Sequence, residues 1–228
     1  MFAGIADWYD VNNRLHSLGR DRAWRRAAVR MAAVRPGEAA LDVACGTGAM
    51  ARLLQAAGAG RVVGADFCEE MLHLARTKSA DGKAAAIEFL QADAHALPVP
   101  GGAFDLVTVA FGLRNLADPR AALREFRRVL KPGGRLIVLE FCPAAPGWGG
   151  AFIRWFTRAV MPRTAGVLSG HAEAYRYLHA STQSFLRAEE VAAAMRDAGF
   201  ANLLTRTMTF GTVAAHRGER IEAVDRRL

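Results

Sequence analysis

The sequence predicts an α/β fold, a mostly parallel sheet with helices on both faces. Three observations predict it. Short apolar runs alternate with helical patterns from residue 39 to residue 141. Helix-length segments separate the runs, as the crossovers of a parallel sheet require. Phe104 to Ala110 is apolar at almost every position, the pattern of a strand buried on both faces. At 228 residues and 52% apolar composition, the chain has enough material for one domain, 1–228, with a full core.

The elements follow in order. Residues 1–35 read as one or two helices rich in aromatics and arginine, a helical lid outside the sheet rhythm. Ala39 to Val43 is a first strand and Gly48 to Ala57 a helix. Arg61 to Ala65 is a second strand, Glu69 to Ser79 a second helix, and Ala86 to Gln91 a third strand. Phe104 to Ala110 is the fourth. Pro119 to Leu130 reads as a helix because Asp118 can cap it and Pro119 suits its first position. Lys131-Pro132-Gly133-Gly134 stops that helix, and Arg135 to Phe141 is a fifth strand. Residues 143–184 form a helical insertion. Glu189 to Ala198 is a helix closed by Gly199, followed by strands at Leu203 to Thr207 and Thr212 to His216. Gly218 to Leu228 reads as a charged, frayed tail.

Composition narrows the classes. No apolar run reaches the roughly 18 residues of a membrane span, and the first ten residues lack the basic head and apolar body of a secretory signal. A cytoplasmic location is expected. Cys45, Cys68 and Cys142 lie far apart, without metal-ligand spacing, so small buried reduced thiols are expected, with no metal site and no disulfide framework. The net charge of +8 comes almost wholly from arginine, since lysine occurs only at Lys78, Lys83 and Lys131. That excess is compatible with a peripheral contact on an anionic membrane surface, such as the inner membrane face, or with an acidic partner. A clustered basic-aromatic surface for nucleic acid is missing, so no nucleic-acid partner is expected.

The stretch from Leu41 to Ala49 carries the most chemistry. An apolar run ends in Asp42-Val43, then Gly46-Thr47-Gly48 turns the chain into a helix. Gly46 and Gly48 permit the turn and a close approach of ligand to backbone, and the helix start offers unpaired N–H groups. Alone, Gly46 to Ala51 also fits the G-x-G-x-x-A dinucleotide fingerprint. Three acids change the balance. Asp42, before the loop, would be costly beside a pyrophosphate but suits an ammonium or sulfonium group. Asp66, at the end of the second strand, can accept both hydroxyls of a ribose. Asp93, after the third strand, can accept from an adenine amino group, with the Ala94 N–H donating to the ring. A ligand with an amino acid end, a ribose, an adenine and no phosphate is described by S-adenosylmethionine. A nicotinamide oxidoreductase is disfavoured by Asp42.

These residues resemble motif I of class I S-adenosylmethionine-dependent methyltransferases. More narrowly, the chain resembles the ubiquinone/menaquinone biosynthesis C-methyltransferases of the UbiE type. The likeness is carried by Tyr9-Asp10, Asn13-Arg14, Leu18-Gly19 and Trp24-Arg25, by Phe111-Gly112-Leu113-Arg114-Asn115 with Asp118, by Leu130 to Arg135 and Leu139-Glu140-Phe141, and by Glu173 to Leu178 with Thr209-Phe210-Gly211. It implies a Rossmann-like seven-stranded sheet with its last strand antiparallel. It implies cofactor contacts from Thr47, Asp66, Asp93 and Ala94, to which Ala110 is added by position, where the family usually carries a small hydroxyl residue. The activity implied is methylation of a ring carbon on a prenylated quinol precursor, demethylmenaquinol or the corresponding 2-polyprenyl-6-methoxy-benzoquinol. A smaller soluble aromatic acceptor, or a weakly active cofactor-binding scaffold, stands as the alternative; a homodimer is compatible with either.

Chemistry at the acceptor needs an electron-rich carbon in line with the S–CH₃ bond and loss of a hydroxyl proton. Arg114 and Asn115 follow the fourth strand, where they would face the methyl group. Arginine stays protonated, so Arg114 is expected to stabilise a phenolate oxygen or polarise a water, unless it pairs structurally with Asp118. His171, Tyr175 and His179 recur every four residues on one helix face; either histidine has a pKa suited to proton transfer, His171 and Tyr175 are the catalytic candidates, and the bland reading is helix surface and packing. Phe152, Trp155, Phe156, Ala159 and Val160 form an apolar stripe that reads either as core or as the substrate-side entrance for an isoprenoid tail.

Overall fold

A computed structural model describes residues 19–80, 87–143 and 185–221. The apolar stripe from Phe152 to Val160, the residues His171, Tyr175 and His179, and the part of the lid before residue 19 lie outside the described residues. Among the described residues the order is α1 (Asp21–Ala32), β1 (Ala39–Val43), α2 (Ala49–Ala56), β2 (Arg61–Asp66), α3 (Glu69–Ser79), β3 (Glu88–Gln91), β4 (Phe104–Ala110), a 3-10 turn (Leu113–Asn115), α4 (Pro119–Val129), β5 (Leu130–Phe141), α5 (Ala188–Asp197), β6 (Phe200–Met208) and β7 (Val213–Arg220).

The strands form one seven-stranded sheet in the order β3-β2-β1-β4-β5-β7-β6. β1 to β5 run parallel, while β7 pairs antiparallel with both β5 and β6. The chain steps outward from β1 to β3 and then returns to lay β4 on the other side of β1. That reversal opens a crevice at the carboxyl ends of β1 and β4, where ligands bind in open α/β sheets.

Both faces are covered, and strand alternation assigns each residue its side. Leu41, Val43, Val107, Val109, Leu136 and Val138 pack in the cluster that holds Leu123, Phe126 and Met195 of α4 and α5. Their neighbours Ala40, Leu106, Ile137 and Leu139 pack with Trp24, Ala28 and Ala32 of α1 and Met50, Ala51 and Leu54 of α2. α1 is tied down at its end, where the Arg135 Nε donates to the Ala32 carbonyl at 2.9 Å and Nη2 donates to Glu38 at 2.6 Å.

Asp118 caps α4 by accepting from the backbone N–H groups of Arg120 and Ala121, with Pro119 in the first turn. The turn after α4 differs from expectation. Leu130 already pairs with Phe104, the segment Lys131-Pro132-Gly133-Gly134 loops out opposite Asp105, and pairing resumes at Leu106 with Arg135. The turn is thus an irregularity inside β5 rather than a gap before it. Lys131 closes it by donating to both Asp105 oxygens at 2.8 and 2.9 Å. A Cβ on Gly134 would lie 2.8 Å from the Lys131 carbonyl oxygen, so only glycine fits.

The last two strands are longer than their apolar alternation suggests. β6 begins at Phe200 and β7 continues to Arg220. Gly218, Glu219 and Arg220 therefore belong to the sheet rather than to a frayed tail, because each pairs across to β5 or β6.

Candidate active site

The crevice holds a cavity of about 400 Å³, within the usual range for small-molecule sites. Its floor is the turn after β1. The Gly46 N–H donates to Asp66 Oδ2 at 2.7 Å, and the Cys68 N–H donates to Oδ1 at 3.0 Å. One carboxylate thereby joins the turns after β1 and β2, with lone pairs remaining on both oxygens. Burial raises the Asp66 pKa above the usual aspartate value, against the lowering effect of these N–H donors.

The third side is the turn after β3. Asp93 Oδ1 accepts from the His95 N–H at 2.9 Å and lies 2.6 Å from the His95 ring Nδ1. Asp93 Oδ2 has no partner among the described residues. The next residue, Ala94, is 7% exposed, and its N–H likewise has no acceptor among the described residues. Buried backbone donors without partners are rare. Here an acceptor and a donor without partners among the described residues belong to adjacent residues of the cavity lining.

The wall after β4 is Phe111-Gly112 with Asn115. Phe111 adopts φ 63°, a costly conformation for a bulky residue. Several bonds hold it. Its N–H donates to the Leu139 carbonyl at 2.7 Å, and its carbonyl accepts from Arg114 Nη1 at 2.7 Å. Its ring packs 4.7 Å from that of Phe141 and 6.1 Å from that of Trp24, centroid to centroid. Gly112 is required by a neighbour, since a Cβ there would lie 2.5 Å from the Ala44 Cβ.

Of the residues singled out from sequence, Gly46, Asp66, Asp93, Ala94 and Asn115 line this one cavity. Thr47 is buried and lends its carbonyl to Arg52 Nη1 at 2.8 Å, and Gly48 opens α2 at φ 77°. Ala110 is buried in the sheet-side cluster. These three are not among the residues that line the cavity.

Two expectations need correction. Asp42 does not face the cavity. Alternation along β1 turns it under α2, where its oxygens accept from Thr108 Oγ1 at 2.7 Å and from the Ala51 N–H at 3.1 Å. These two bonds tie the first turn of α2 to the sheet, and burial pushes the Asp42 pKa up to about 7. Arg114 also turns inward. Its side chain is 9% exposed and its Nη1 donates to Glu140 Oε1 at 2.6 Å, while its backbone N–H donates to Glu140 Oε2 at 3.2 Å. Its partner is Glu140 and not Asp118, whose carboxylate is occupied by the α4 cap. Arg114 thus braces the strained Phe111 from behind.

Sequence reasoning missed His95, Phe67 and Met71, all of which line the cavity. Phe67 is 75% exposed at the cavity's edge. A signal for His95 was present in its place two residues after Asp93, within reach of a local side-chain bond.

Against known proteins, the model of the ubiE/COQ5 methyltransferase family matches residues 1–220 of this chain. The chain belongs to that family. It is 48% identical over 221 residues to the demethylmenaquinone methyltransferase of Thermus thermophilus, covering 96% of this chain and 100% of that protein. It is 41% identical to the ubiquinone/menaquinone biosynthesis C-methyltransferase UbiE of Pseudomonas fluorescens, covering 96% of this chain and 86% of that one. Among solved structures, a SAM-dependent methyltransferase from Aquifex aeolicus superposes with a TM-score of 0.63 at 18% identity, covering 86% of this chain and 89% of the other. At that identity the superposition speaks for the fold alone. This methyltransferase accordingly has a cavity at the switch point of its sheet, lined by Gly46, Asp66, Asp93, Ala94 and Asn115 among others.

Proposed function

We propose that this methyltransferase transfers the methyl group of S-adenosylmethionine to a ring carbon of a prenylated quinol, as a step in menaquinone or ubiquinone biosynthesis. The observation that carries this reading is the match to the ubiE/COQ5 family over residues 1–220. The demethylmenaquinone methyltransferase of Thermus thermophilus, at 48% identity, favours the naphthoquinol over the benzoquinol.

The cavity residues fit the cofactor. Asp93 Oδ2 and the Ala94 N–H offer an acceptor beside a donor, which matches the amino group and ring nitrogen of adenine. Asp66 would hold the ribose hydroxyls with the lone pairs left over from Gly46 and Cys68. The Gly46-Thr47-Gly48 turn leaves room for the amino acid end. When bound, the cofactor supplies a methyl group on a sulfonium, a good leaving group.

The chain's own part is positioning, exclusion of water and removal of a proton. Phe111 forms an apolar wall beside Asn115, the polar side chain that the post-β4 turn contributes to the cavity. Asn115 orients the quinol hydroxyl, and Arg114 keeps Phe111 and Asn115 in place through the Phe111 carbonyl. One of the two histidines, His171 or His179, is proposed to receive the hydroxyl proton, since imidazole titrates near neutrality. Holding the two reactants in line supplies several kcal/mol, with about 7–11 as the ceiling. The positive net charge of +8 favours approach to an anionic membrane that carries the lipophilic substrate.

The test is reconstitution with prenylated and unprenylated demethyl-quinols, followed by mass spectrometry of the products. The proposal expects a 14-dalton gain on the prenylated naphthoquinol ring. Equal turnover of a short soluble aromatic would move the substrate class to the alternative. Flotation with anionic vesicles at low salt, set against neutral vesicles, reads the membrane contact directly.

A further inference from the structure

The turn after β3 contains a side-chain arrangement that the function above does not use. His95 lines the cavity beside Asp93 and Ala94. Two donors reach the Asp93 carboxylate, the His95 N–H at 2.9 Å and the His95 ring Nδ1 at 2.6 Å, and both land on Oδ1. At the far side of the ring, the Asp118 N–H donates to His95 Nε2 at 3.3 Å. A backbone N–H can only donate, so Nε2 must accept and the ring proton must sit on Nδ1. The tautomer is therefore set by α4, and the Nδ1–H points at Asp93.

This arrangement leaves Asp93 with one oxygen saturated and one oxygen open. The His95 donors also hold its pKa below the usual aspartate value, the backbone N–H foremost, so it remains an ionised acceptor. Stability is not the main yield of the pair. The Asp93 side chain is 52% exposed and that of His95 26%, and a hydrogen bond so open to water contributes little. What the pair fixes is direction. An isolated Asp93 side chain on a surface turn could rotate and present either oxygen, or neither, to a ligand. Bonded twice to His95, it can only present Oδ2, beside the open Ala94 N–H.

We propose that His95 is a positioning residue for nucleobase selection, locking Asp93 so that the cavity presents acceptor and donor in the order that adenine requires and hypoxanthine opposes. Adenine carries an amino donor next to a ring-nitrogen acceptor. Hypoxanthine carries a carbonyl acceptor next to a ring N–H donor, the reverse order, and would set its carbonyl against the Asp93 carboxylate. The inference rests on the adenosyl cofactor proposed above. His95 reaches the base only through Asp93 and takes no part in methyl transfer.

The experiment is calorimetric binding of S-adenosylhomocysteine and S-inosylhomocysteine to the full chain, compared between wild type, His95→Ala and His95→Asn. Wild type should prefer the adenosyl form by about 10- to 100-fold, the scale of one charge-assisted hydrogen bond. His95→Ala should lose about tenfold in adenosyl affinity and gain or hold inosyl affinity, so that the preference collapses. His95→Asn places an amide nitrogen near the position of Nδ1 and should restore most of the preference. A merely structural role for His95 weakens both ligands alike. An unchanged preference ratio in His95→Ala, or failure of His95→Asn to restore a lost one, therefore overturns the proposal. Failure of wild type to bind either thioether strikes the cofactor reading instead, so the two outcomes separate. Unfolding midpoints of the three proteins exclude loss of fold as the cause.

Discussion

At the residue scale, two carboxylates at successive strand ends do opposite work. Asp66 faces the cavity and joins two turns; Asp42 faces α2 and joins the start of that helix to the sheet. Removing the Asp66 carboxylate should weaken cofactor binding by about ten- to a hundredfold, since a hydrogen bond to a charged group is worth about 1.5–3 kcal/mol. Calorimetric titration of Asp66→Ala checks this, and unchanged affinity would remove Asp66 from the site. Because burial raises the Asp66 pKa, its acceptor strength falls as pH drops toward that raised value. Cofactor affinity should therefore begin to fall above the usual aspartate range, and Asp66→Asn should lack that dependence. Arg114 sets a different expectation. Breaking its buried pair with Glu140 leaves an unpaired buried charge, a loss of about 3–5 kcal/mol. Arg114→Ala and Glu140→Ala should lose stability and turnover together, and Arg114→Ala with normal stability and failed turnover would return Arg114 to direct chemistry.

At the element scale, the turns matter more than the helices. The turns after β1 and β4 touch through Ala44, at φ 51°, and Gly112. Gly112→Ala should cost about 1–3 kcal/mol through overpacking and should also weaken ligand binding, because relief of the clash moves Phe111. Thermal unfolding and cofactor titration on one preparation test both halves. The tie between α1 and the β6–β7 turn runs through Trp24 Nε1, which donates to Thr209 Oγ1 at 3.0 Å. Two motif pieces quoted from sequence, Trp24-Arg25 and Thr209-Phe210-Gly211, thus meet in space. Their meeting explains why both belong to one signature, and nothing in either stretch alone announces it.

At the scale of the whole molecule, two buried ionisable groups oppose each other. Asp42 has a pKa raised to about 7 from 3.8 by burial. The native state keeps a proton that the unfolded chain releases, so this stability is lost as pH rises through that window. His216, on β7 with Thr205 Oγ1 2.9 Å from its Nδ1, has a pKa lowered to about 4 from 6.5 by burial. The unfolded chain takes a proton that the native state refuses, so this stability is lost as pH falls through 6.5 toward about 4. The two slopes, each at most about 1.4 kcal/mol per pH unit, offset over most of their shared range. Asp42→Asn should uncover stability that rises with pH, and His216→Gln stability that falls with it. Denaturant midpoints measured across that range, with the wild-type slope lying between those of the two variants, check the signs.

Local pattern determined most of the architecture. Apolar alternation and turn residues placed β1, α3 and β4 at their observed bounds, and Asp118-Pro119 placed the start of α4, because each signal lies within a few residues of what it controls. The residues Gly46, Asp66, Asp93, Ala94 and Asn115 were legible as one site because open parallel sheets gather strand ends at a switch point. Only the tertiary structure decided which way Asp42 faces, since that depends on α2 packing over β1. It decided that Arg114 pairs with Glu140, twenty-six residues away, and that β5 pairs on both sides of its proline-glycine turn. It also decided that His95 stands between Asp93 and the cap of α4, where its ring can be locked. For Asp42 and Arg114 the physical reason is the same. Helices, turns and caps are local bonds, whereas the partner of a buried charge is whichever residue the packed sheet brings within 3 Å.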